Sequence, residues 1–73
     1  MERAHVDILR EAVEKRQRKE TIERALGKAV RSRGLDFSVY MQLMSDIRAF
    51  AKKHRISETD SARQLLEEHQ DEA

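Results

Sequence analysis

The sequence predicts an all-α domain, and three observations carry that reading. Of the residues, 40% are charged; proline is absent and glycine occurs only twice; and the apolar side chains recur at helical rather than alternating spacing. The predicted architecture is a small bundle of three principal helices, about 2–32, 36–54 and 58–70, in one domain spanning 1–73.

The first helix carries two apolar faces. Ile8, Leu9, Ala12 and Val13 define one, and Ile22, Ala25, Leu26, Ala29 and Val30 define the other, rotated by roughly 120° on an ideal helix. Between them, Glu14 to Thr21 contains no apolar residue. No glycine or proline marks an interruption, and Glu, Lys, Arg and Gln are good helix formers, so a continuous helix is expected. The alternative is a break near 19–21 with Thr21 as the new cap. A continuous helix would be about 45 Å long, more than so small a core can cover. Its leading half is therefore expected to meet a second chain through Ile8, Leu9, Ala12 and Val13, giving a homodimer.

At the first corner, Gly34 suits the left-handed position that closes a helix, Leu35 can fold back on Val30, and Asp36 can cap the central helix. In that helix, Phe37, Val39, Tyr40, Leu43, Met44, Ile47, Phe50 and Ala51 fall within one arc of about 160°. Ser38, Gln42, Ser45, Lys52 and Lys53 lie opposite. This helix is expected to form the core, with Tyr40 inside the arc and Met41 at its edge, in core packing or an oligomer seam. Lys52-Lys53-His54-Arg55 then gather cations where a helix end presents unpaired carbonyls. Ser57 opens the last helix as a cap, with Glu58 and Asp60 in its first turn and Ala62, Leu65 and Leu66 as its apolar residues.

Size and composition narrow the function classes. A chain of 73 residues without cysteine has neither disulfides nor a thiolate zinc site to staple it. No apolar stretch approaches the roughly 18 residues of a membrane span, and none near Met1 reads as an export signal. The expected location is the cytoplasm, with no membrane association.

Charge is distributed unevenly. Residues 15–55 hold twelve Lys and Arg against four acids, whereas residues 56–73 hold one Arg against six acids. Lys15, Arg16, Arg18 and Lys19, followed by Arg24, Lys28 and Arg31 at helical spacing, can form a stripe that neutralises phosphates, with Lys52 and Lys53 as further contributors. The competing reading is a solvated helix face knit by i,i+4 pairs such as Glu11 with Lys15 and Glu20 with Arg24.

Phe50-Ala51-Lys52-Lys53-His54-Arg55-Ile56-Ser57, followed by Ala62-Arg63-Gln64-Leu65-Leu66, is similar to the helical half of ribbon-helix-helix repressors, over less than a third of the chain. The resemblance implies DNA binding through a strand ahead of the first helix, yet the residues there follow helical spacing. Glu58 and Asp60 would also repel phosphates at the front of a recognition helix; capping is their commoner role. For catalysis the pattern is poor: His5, His54 and His69 are far apart and no glycine-rich phosphate loop exists. The expected protein is a non-enzymatic binding module without metal or cofactor. It reads as a nucleic-acid-associated regulator, DNA or RNA, using the basic centre. The alternative is a helical adaptor or inhibitor that binds a protein through exposed apolar helix surface.

Overall fold

A computed structural model describes residues 1–72, Glu72 by its backbone alone. Helix α1 runs Arg3–Lys15, α2 Ile22–Ser32, α3 Phe37–His54 and α4 Glu58–His69, and a 3-10 turn, Gln70–Glu72, closes the described chain. The all-α class holds, with four helices instead of three and no strand among the described residues.

The fourth helix arises because the expected long first helix is broken. The break is wider than 19–21: Arg16 is already extended, at φ −61° and ψ 128°, and helix resumes only at Ile22. Packing decides the matter. Helix propensities among the residues of this stretch differ by at most about 0.7 kcal/mol each. Each buried Ile, Leu or Val side chain contributes about 1.5–3 kcal/mol, and breaking the helix turns both apolar faces into one core. Val6, Ile8 and Leu9 from α1 and Leu26 from α2 are fully shielded there, with Ala12, Ile22 and Ala29 beside them. The molecule measures 32 Å along its longest axis, too short to contain the rod of about 45 Å expected of a continuous helix.

The expected oligomer seam is thereby corrected. Ile8, Leu9 and Ala12 are at most 1% exposed within a single chain, and Val13 packs partly buried against the same core. Ile8, Leu9 and Ala12 are taken up by the chain's own core, where α1 packs against α2 and α4, and are not a free seam.

Local chemistry places the remaining corners. Thr21 Oγ1 accepts the Arg24 N–H at 3.2 Å, Asp36 Oδ1 the Ser38 N–H at 2.9 Å, and Ser57 Oγ the Asp60 N–H at 3.1 Å. The predicted caps Asp36 and Ser57 form, and Thr21 caps α2 as in the alternative with a broken first helix. At the end of α2, Gly34 has φ +64°, its N–H donates to the Arg31 carbonyl and the Leu35 N–H to that of Val30, which is the Schellman arrangement. The α3–α4 turn uses the same geometry with a worse residue. Arg55 takes the left-handed conformation at φ +55°, and the Ile56 N–H closes on the Ala51 carbonyl.

Helix α4 seats on α3 through small side chains. Ala62 and Ser61 are fully buried, and Ser61 Oγ donates to the Ile47 carbonyl at 2.7 Å, so the hydroxyl is satisfied where a larger side chain would not fit. Leu43, Met44 and Ile47 complete the α3 contribution to the core. On the surface Arg48 links three helices, reaching Glu23 of α2 at 3.0 Å and Glu58 of α4 at 3.4 Å.

This packing is open to two stability measurements. Leu9→Glu and Leu43→Glu should both unfold the chain, since each puts an unpartnered charge in the core. Circular dichroism showing a folded Leu9→Glu chain would contradict the packing. Arg55→Gly should raise unfolding free energy by about 1 kcal/mol in urea titrations, by removing the left-handed strain of a side-chain-bearing residue.

Candidate functional site

The outer side of α2 is where unpaired positive charge collects. Arg24, Lys28 and Arg31 recur at i, i+4 and i+7, on the side opposite the buried Ile22, Ala25, Leu26 and Ala29. The α1–α2 loop brings Arg18 and Lys19 to the same place: they border one depression together with Thr21, Arg24 and Lys28. Arg18, Lys19, Arg24 and Arg31 make no ion pair among the described residues.

Glu20 holds this loop in shape. Its carboxylate pairs with Lys28 Nζ at 2.5 Å and accepts the Gln17 N–H at 3.3 Å, while its carbonyl accepts Arg16 Nη1 at 2.8 Å. The hydrogen bond from Lys28, and then that from Gln17, hold the carboxyl below its ordinary range, so Glu20 is ionised at neutral pH. Lys28 is paired with Glu20 by this contact, and Arg16 is turned into the loop as a structural group.

The other sequence-predicted cations stand elsewhere. Lys15, at the end of α1, lies 4.0 Å from Glu11 and borders the α1–α2 cleft beside Lys28. Lys52 and Lys53 occupy the last turn of α3, where they complement the helix C-terminus. Lys53 borders a depression with Met1, Asp46, Phe50 and Leu65 that shares no residue with the α2 face.

Beside the basic face runs an open groove of about 660 Å³ between α2 and the first turn of α3. Arg24 and Arg31 form its α2 wall, Gly27 lies between them, and Leu35, Phe37 and Tyr40 form the far side. Periodicity assigns Phe37 to the core, yet it is 65% exposed, and its ring stacks on Tyr40 with centroids 5.2 Å apart and planes 25° from parallel. Met41, one turn on, is also exposed. Burial first, then the charge and hydrogen bonding of Glu23, raise the Tyr40 hydroxyl above its ordinary pKa. Tyr40 packs partly buried against the core, so Phe37 stacks on a ring that the core seats.

Sequence reasoning misses Phe37, Leu35, Tyr40 and Gly27 as site residues. The available signal was the length of α3: its 18 residues outrun the 12 of α4. Among the described residues, no three His, Asp or Glu side chains converge as a metal set would, and no helix is long and apolar enough to cross a membrane. The chain matches no family model, no curated protein and no solved structure.

Gly27 tests whether the groove is demanded by the fold. A Cβ there would meet only the Tyr40 Cε1 atom, at an ordinary 3.7 Å. Gly27→Ala should therefore stabilise the chain by about 0.5–1 kcal/mol, the usual gain in a helix interior, read by thermal or urea unfolding. A loss would mean that the backbone needs the glycine.

Proposed function

We propose that this chain is a small cytoplasmic nucleic-acid-binding regulator, not an enzyme, which holds the phosphate backbone with the outer side of α2 and the α1–α2 loop. The observation that carries this reading is the gathering of Arg18, Lys19, Arg24 and Arg31, all exposed and without acidic partners among the described residues, around Lys28. Exposed cations separated along a chain ordinarily solvate it; four on one side, with Glu20 paired to Lys28 and Glu23 to Arg48, leave a net positive surface. Lys52 and Lys53 are outside the proposed contact.

A second reading, a protein partner, is favoured by one observation: Leu35, Phe37 and Met41 are large apolar side chains left exposed in a row at the start of α3.

Gel retardation and anisotropy decide the first reading. If four phosphates are neutralised, affinity for a duplex should fall by about 100-fold between roughly 50 and 200 mM salt. Arg18→Glu, Lys19→Glu and Arg24→Glu combined should abolish binding with the helical signal intact, whereas Lys52→Glu with Lys53→Glu should change it little. Absence of binding to any nucleic acid at the lower salt removes the proposal.

A further inference from the structure

We infer that the groove between α2 and α3 takes the unstacked bases of a single-stranded nucleic acid, with Phe37 as the stacking surface and Arg24 and Arg31 beside it for the backbone. The inference rests on the basic-face reading and adds to it which form of nucleic acid is held.

Three features point to flat, anionic occupants. Phe37 offers the outer face of a ring whose inner face is already stacked on Tyr40, so a base can extend the stack without rearrangement. Tyr40 is itself packed partly buried against the core, which seats the inner ring of the stack. Gly27 leaves the α2 side of the groove without a side chain between two arginines, although an alanine would be accommodated at that site and would suit the helix better.

The same geometry disfavours duplex in the groove, because paired bases present only their edges and cannot reach Phe37 face to face. An apolar protein helix would find Leu35 and Phe37 on one side but the guanidinium groups of Arg24 and Arg31 on the other, which its apolar face would have to desolvate. Glu23, the acid on the rim, shares Arg48 with Glu58, so it offsets part of the charge of Arg24 and Arg31 and leaves the groove net positive. Stacking and phosphate contact are common to DNA and RNA, and the two are separated by experiment.

The test is fluorescence anisotropy of the full chain with labelled oligothymidylate and oligouridylate of about 12 nucleotides and a duplex of the same length, near about 50 mM salt. Single strands should bind about tenfold tighter than duplex. Comparison of the two homopolymers assigns the sugar preference. Phe37→Ala should weaken single-strand binding at least about fivefold and leave duplex binding unchanged, while Phe37→Trp retains it. Gly27→Leu, which fills the groove from a position where only Tyr40 is near, should act like Phe37→Ala with the helical signal preserved. Duplex binding that equals single-strand binding, or that falls in step with it in Phe37→Ala, overturns the inference while the basic-face reading stands. Loss of both readings would show as no nucleic-acid binding at all. Binding of a labelled Leu/Glu amphipathic helical peptide that Phe37→Ala abolishes, with single strands not bound, gives the groove to a protein partner and also overturns it.

Discussion

A 73-residue chain has enough apolar side chain for one core and no more, and every helix must turn its apolar face into it or leave that face wet. In the first third of this chain two such faces lie about 120° apart, so a straight helix could bury only one of them. The chain gives up helix over Arg16 to Thr21 and gains a core shared by α1 and α2. The loop that results is not slack. Glu20 ties it by its carboxylate to Lys28 and Gln17 and by its carbonyl to Arg16, and Thr21 restarts the helix by accepting the Arg24 N–H. A straight helix would have spread Arg18 and Lys19 on one turn and Arg24 and Lys28 on later ones along a rod. The break gathers them around one depression.

The aromatic groove arises from the same shortage. Helix α4 has 12 residues and meets α3 around Ile47 and Arg48, its seat fixed by Ser61 on the Ile47 carbonyl and by Arg48 between Glu23 and Glu58. The first turn of α3 projects past that cover. Phe37 is left outside while Tyr40 is drawn half inside, and the pair stacks so that one face of each ring is shielded. Basic loop and exposed ring therefore lie side by side because one short core serves both helices that carry them.

Much of this was legible residue by residue, and the misses have specific physical causes. The corners at Gly34 with Leu35, Asp36 and Ser57 were readable because each acts within a few residues, and they form as expected, while Thr21 caps α2 as the less favoured broken-helix alternative had it. The break at Arg16 was not, since propensity along Glu14 to Glu20 favours helix and only the packing of distant faces opposes it. Periodicity places Phe37 on the correct side of α3 but says nothing about whether anything lies there to cover it. Likewise, a count of cations along the chain does not distinguish Arg24, aimed outward beside Arg18, from Arg16, folded back on the Glu20 carbonyl. The left-handed Arg55 shows the reverse: tertiary placement of α4 imposes a conformation that its own side chain resists.

The departures from local preference divide into two kinds. Arg55 and the broken helix are costs the core imposes, and each is matched by burial: the turn at Arg55 delivers Ala62 and Leu65 onto α3, and the break delivers Ile22 and Leu26 onto α1. Gly27 and Phe37 are different, because no burial compensates them. A glycine in a helix interior whose Cβ would meet only an ordinary contact lowers stability, and a phenylalanine left 65% exposed adds little to the core. They face each other across one groove, with Arg24 and Arg31 alongside. Where local rules fail with no gain to the fold, the gain is to be sought in binding. The two residues lie on opposite walls of the same open space, so a single occupant would account for both.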